Sequence, residues 1–182
     1  PQFRSAIAEL IRDLGAALPA AFEGQDYQAR RRAIDEAFRR KQEQAFSALT
    51  KEAGENNIAI VRTPFGFGVA PLAAEGGEVL KPEAFNALPE AERDRLHALL
   101  RQFEAKLQEI LQNVPRWDKE RREEARKLDR DTARFAVSHS IDETKTHFAD
   151  LPVALEHLDA MRNDLLDNVG VFDRSAALPT GG

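Results

Sequence analysis

The chain has 182 residues, of which 31% are charged and 42% apolar, with a net charge of −5 and no cysteine. Disulfides, thiolate metal sites and cysteine nucleophiles are thereby excluded, nothing points to an oxidising compartment, and cytosol is the default. No apolar run of about 18 residues and no basic stretch leading into a hydrophobic one occurs, so neither a membrane span nor a signal peptide is expected. The acidic balance argues against a dedicated nucleic-acid binder, which needs a local basic excess to neutralise phosphates. A chain that opens at Pro1 without Met is expected to be an excised piece. Abundant Ala and Leu among many charges suit long amphipathic helices with narrow apolar seams.

Phe3, Ile7, Leu10, Ile11, Leu14 and Leu18 recur three and four apart and mark a first helix, which Gly15 and Pro19 are expected to weaken and end. A second helix is expected from roughly Asp26 to Ala53, with Asp26 as its N-cap and Ile34, Phe38, Ala45, Phe46 and Leu49 as its stripe. Its outer face carries Arg31 to Asp35, Arg32 to Glu36, Asp35 to Arg39 and Glu36 to Arg40, each four apart.

Over residues 57–80 the spacing changes to β-branched and aromatic residues punctuated by Pro and Gly. Ile58, Ile60 and Arg62 would share one face of a strand, Thr63-Pro64-Phe65-Gly66 a turn, and Phe67 to Leu72 a return strand. Glu75-Gly76-Gly77-Glu78 would turn again before Val79 and Leu80, giving a hairpin or a three-stranded meander. So small a sheet is marginal alone in water and must pack its apolar face on a helix, a neighbouring domain or a partner.

Pro82 and Pro89 are each placed at a first helical position, opening a short helix and then a long one. In the long helix Leu96, Leu100, Phe103, Leu107, Ile110 and Val114 form a coiled-coil seam. Pro115 should kink or divide it, and Ala125, Leu128, Thr132 and Phe135 would resume a weaker seam among alternating charges. Leu155, Leu158, Met161, Leu165, Val169 and Phe172 mark a last helix entered near Pro152, and SAALPTGG reads as a tether. The expected fold is mainly α: long antiparallel helices forming a coiled-coil-like hairpin, with the small β-element at about 57–80. The expected division is 1–23 with 136–173 as base helices, 24–135 as the helical hairpin, and 174–182 as a flexible tail.

Candidate chemistry is sparse. Gly66 and Gly68 lack the Lys-Ser/Thr and helix start of a phosphate loop and read as a structural turn. His139, Glu143 and His147 share a helical face, but two four-residue steps span about 12 Å, too far for one ion, and surface or interface residues are the better reading. Ser138, His139 and Asp142 fail as a triad because neighbours on a helix point apart. Arg30, Arg31, Arg32, Arg39, Arg40 and Lys41 read as a solvated face, since acids intervene and no aromatics interleave. Trp117 is an exposed anchor or, by preference, closes the helix seam. No catalytic, cofactor or metal residue is assigned.

The order of segments carries one resemblance. ALPAAFE, RTPFGF, LPEAER, VPRW and DRDTARFAV follow one another as in the helical insert of bacterial Lon-like ATP-dependent proteases, and nearly the whole chain resembles it. The resemblance implies a parent with an AAA+ ATPase module using ATP and Mg, an S16-type peptidase domain with a Ser-Lys dyad, and a homo-oligomeric ring, expected to be a hexamer. It places the insert between the two Walker motifs. Neither Walker sequence nor a dyad occurs in this chain, so the segment alone is expected to be non-catalytic, engaging or gating protein substrates before unfolding. The alternative is a structural module that pairs between subunits to hold the ring, with nucleic-acid binding a distant third and no membrane partner. Possible contacts to substrate or subunit are Phe65, Phe67 and Trp117. An exposed Phe65 or Phe67 would be an apolar grip and a buried one a staple. Burial is expected for Phe67, and Phe65 is left open.

Overall fold

The computed structural model describes residues 2–73 and 77–168. The elements run α1 (Gln2–Glu23), α2 (Gln25–Glu55), β1 (Ile58–Thr63), β2 (Gly66–Pro71), α3 (Pro82–Asn86), α4 (Glu90–His147) and α5 (Pro152–Asp167). They form two compact units, Pro1–Asp35 with Arg121–Gly182 and Glu36–Glu120. Helices α2 and α4 contribute to both. Val169, Phe172, the tail 174–182 and the centre of the second expected turn lie outside the described residues.

In the first unit Leu10, Leu14 and Leu18 of α1 meet Ala133, Val137 and Ile141 of α4 and Leu158 of α5. Pro19 does not end α1, which continues to Glu23. An interior proline costs about 3 kcal/mol, but Leu14 and Leu18 lie before it and Phe22 after it on the same packed stripe. Burial of such side chains, about 1.5–3 kcal/mol each, outweighs the missing hydrogen bond. The start of α2 also differs from expectation. The Gly24 carbonyl accepts the first helical bond from Gln28 at 3.1 Å, so Gly24 holds the capping position and Asp26 pairs with Arg30 inside the first turn.

The second half of α4 is buried along Ala125, Asp129, Ala133, Val137 and Ile141. Of the expected seam Ala125 lies in this stripe and Leu128 and Thr132 are half-buried, but Phe135 is 85% exposed. Small alanines carry the contact, so the helices meet along positions that hydropathy weighs lightly. Asp129, only 7% exposed, accepts a 2.6 Å hydrogen bond from the Tyr27 hydroxyl of α2. The Tyr27 ring stands edge-on to Phe22 at 5.0 Å. Arg121 bonds Asp35 at 3.0 Å, so α2 and α4 run antiparallel here. Lys145 bonds Asp159 and Arg162 bonds Asp142, tying α4 to α5, and the bond from Lys145 lowers the Asp159 carboxyl below its ordinary pKa.

The second unit is organised the same way. Lys41 pairs with Glu120 at 3.0 Å and Glu52 with Lys106, which again sets α2 against α4 antiparallel. Leu49 and Ala53 of α2, Phe103 and Leu107 of α4, and Ile58 of β1 form its core. Helix α4 passes Pro115 without dividing. Pro82 opens α3 as expected, whereas the Pro89 carbonyl accepts from Arg93 at 3.0 Å, which makes Pro89 the cap of α4 rather than its first residue.

The sheet has two antiparallel strands, with Ile58↔Pro71, Ile60↔Val69 and Thr63↔Gly66 among its pairs. Among the described residues one further bridge, Leu72↔Val79, stands in place of the third strand of a meander. Asn57, at φ 57°, is the left-handed residue through which the chain leaves α2 for β1. Among the described residues no helix is long and apolar enough to cross a membrane.

The buried pair makes a direct test. Tyr27→Phe takes a donor from a buried carboxylate and should cost about 1–3 kcal/mol in urea unfolding, whereas Phe135→Ser should stay within about 0.5 kcal/mol of the parent.

Candidate functional site

The β1–β2 hairpin combines an anchored base with a bare tip. Ile58, only 1% exposed, sits in the helix core, and Ile60 and Val69 pack beside it. Alternation places Phe67 on the same face, one cross-strand pair nearer the turn, opposite Arg62. There the Phe46 ring of α2 meets it, with the centroids 5.5 Å apart.

Phe67 is therefore not buried as expected: 48% of it stays exposed, with Phe46 tilted beside its ring. Phe65, which the sequence left open, is wholly exposed at 101%. It occupies the two-residue turn with Pro64, between the paired Thr63 and Gly66.

The turn explains how Phe65 is displayed. Two-residue hairpins favour primed turns with positive φ at their central residues, which Pro64, fixed near −65°, forbids. Gly66 takes the positive φ instead, at 128°, and the Thr63 hydroxyl donates to the Gly66 carbonyl at 3.2 Å. A rigid proline thus precedes an aromatic that nothing covers.

Trp117 belongs to a different patch. It is half-buried, with the Lys41 ammonium 5.3 Å from its ring centroid and Lys41 in turn bonded to Glu120. The structure thus brings Phe65 and Phe67 together on one hairpin and sets Trp117 on the helix pair. The basic run is neutralised locally: Arg39 grips both carboxylate oxygens of Glu36 at 2.8 and 3.1 Å, lowering the Glu36 pKa, and Arg40 adds a second cation at 3.8 Å. His139 and Glu143 approach only to 4.0 Å, and His147 contacts the Glu143 carbonyl at 2.9 Å. Among the described residues no three such groups converge on a point.

Sequence reasoning missed the exposure of Ile11, which it placed on the apolar face of α1, of Phe135 on α4, and of Leu151 and Val153 at the entry to α5. The β-branched residue behind Pro152 gave a faint signal. Phe135 gave none, because its spacing matched a seam.

The architecture defines a mainly helical protein with a small two-stranded antiparallel sheet packed on its longest helix. Comparison of the chain with protein-family models, with curated proteins and with solved structures found no match in any of the three.

The tip and the base should separate in stability measurements. Phe65→Ser should leave the urea midpoint within about 0.5 kcal/mol of the parent, and Phe67→Ala should cost about 1 kcal/mol through its aromatic contact. Gly66→Ala should cost about 1 kcal/mol or more because its φ is positive.

Proposed function

We propose that this segment is the non-catalytic helical insert of a Lon-like ATP-dependent protease, and that its β-hairpin is an apolar grip for unfolded polypeptide. The observation that carries the grip is Phe65, a large aromatic held wholly in water on a turn whose base is fixed in a core. Exposed apolar groups gathered at one place mark contact surfaces more often than accidents. The order of ALPAAFE, RTPFGF, LPEAER, VPRW and DRDTARFAV supports the family. On this reading the parent works in the cytoplasm as a ring, hexameric by resemblance, and supplies ATP, Mg and the Ser-Lys dyad from its other domains.

The exposed aromatic supplies affinity without sequence specificity. An unfolded chain offers apolar side chains at irregular spacing, and one aromatic contact can be made and released repeatedly during translocation. In an intact protease carrying this segment, Phe65→Ser should slow degradation of an unfolded protein by about fivefold or more, the loss of one strong interface contact. Cleavage of short peptides and ATP hydrolysis without substrate should not change. Protein degradation at the parental rate would remove the grip.

The assembly reading keeps one specific support, the exposed Phe135, Leu151 and Val153 of the first unit. Sedimentation of the chain discriminates: a dimer or hexamer that forms with rising concentration and is lost in Phe135→Ser would put assembly first, and a monomer throughout would leave the grip.

A further inference from the structure

We infer that the outer edge of β1 is a strand-addition site, and that the polypeptide held by the hairpin lies along it as an extended third strand. This inference rests on the grip reading and specifies which part of the client is recognised: its main chain.

The hydrogen-bond phase of the hairpin fixes which groups are available. Leu72 N–H donates to the Asn57 carbonyl at 2.8 Å, and the register continues as Ala59↔Ala70, Val61↔Gly68 and Thr63↔Gly66. In an antiparallel ladder these alternate residues exchange main-chain bonds, and the residues between them turn their N–H and C=O outward. Ile58, Ile60 and Arg62 therefore present their main chain to the outer edge of β1.

The opposite edge is already in use at its inner end. Leu80 N–H donates to the Pro71 carbonyl at 2.7 Å and Ala73 N–H to the Glu78 carbonyl at 2.9 Å. That short return departs into α3 at Pro82. The edge of β1 has no strand beside it among the described residues. Its inner end is closed, because Ile58 is in the core. Toward the tip Ile60 is half-buried and Arg62 exposed, so two outward N–H and C=O sets, about 6.6 Å apart, lead up to Phe65.

The occupant follows from these groups. An open strand edge pairs with any extended backbone, and its selectivity comes from alternate side chains. Phe67 and Ile60 on one face and Val61 on the other favour apolar residues at alternate positions of the added strand. A second copy is disfavoured in both registers that use Arg62: pairing centred on Arg62 sets like charges opposite each other, and pairing Ile60 with Arg62 sets the copy's Pro64 opposite Ile58, where the edge is closed by the core. An unfolded protein segment meets the edge without that conflict, and main-chain bonding accounts for tolerance of many client sequences.

The test uses the 182-residue chain, labelled for amide exchange by NMR, with a ten-residue Lys-flanked peptide of alternating Val and Thr. At saturation the Ile60 and Arg62 amides should exchange about tenfold more slowly or better, as one added main-chain bond allows, while Ala59 and Val61, already bonded to β2, should not change. Arg62→Pro removes only an outward donor and should weaken peptide binding about fivefold or more, whereas Arg62→Ala should not. The same peptide N-methylated at its central residues should fail to protect Ile60 and Arg62 in the parent chain, a measurement independent of how Arg62→Pro folds. Binding that needs Phe65 but leaves the Ile60 and Arg62 amides unprotected would overturn strand addition and keep the grip. Absence of peptide binding would overturn both, and protection that rises with chain concentration before peptide is added would overturn it in favour of a second copy.

Discussion

The second unit depends on the burial of one hairpin face. Two strands cannot bury an apolar face against each other, so Ile58, Ile60 and Val69 must find it on the helices. Phe103 and Leu107 of α4 and Leu49 and Ala53 of α2 supply it, and the same residues hold those two helices together. Hairpin and helix pair are one hydrophobic event. Removing Ile58 from the core would loosen both.

That anchorage makes the tip usable. A hairpin fixed along its whole length would bury Phe67, and a hairpin fixed nowhere would not hold Phe65 in a defined place. The anchored face stops after the Ile60↔Val69 pair, and Phe46 stands tilted beside Phe67. Pro64 restricts the turn and Gly66 supplies its positive φ, so on the proposed reading engaging Phe65 would order little additional backbone. The open edge of β1 ends at the same place, so on the proposed reading side-chain and main-chain contacts to a client would converge at one end of the hairpin.

The first unit solves a different problem. Its seam on α4 is made of Ala125, Ala133 and Val137 with a buried Asp129, a surface weak in apolar area that relies on close approach and on the Tyr27 hydroxyl. A buried carboxylate bonded by Tyr27 favours one facing of the α2 and α4 turns, since a misplacement breaks that bond. Ion pairs from Lys145 and Arg162 add definition between α4 and α5, but as exposed pairs they contribute modestly.

Local periodicity determined much by itself: the helical stripes of Leu10, Leu14 and Leu18 and of Leu96 to Val114, the hairpin at Ile58, and the turn at Thr63 to Gly66 were all legible from spacing and turn chemistry. These features depend on neighbours in sequence, and the residues encode them there. Only the tertiary structure decided the rest. Pro19 stays inside α1 because packing on either side outweighs the local break, and α4 runs on through Pro115. Phe135 lies outside because the alanine stripe, not the larger aromatic, fits the close approach of its neighbours. Phe65 and Phe67 differ from their buried neighbours in where the helices stop covering the sheet, a boundary set by residues far along the chain. Alternation assigns a face to a strand residue, but only the packed partner decides whether that face is covered.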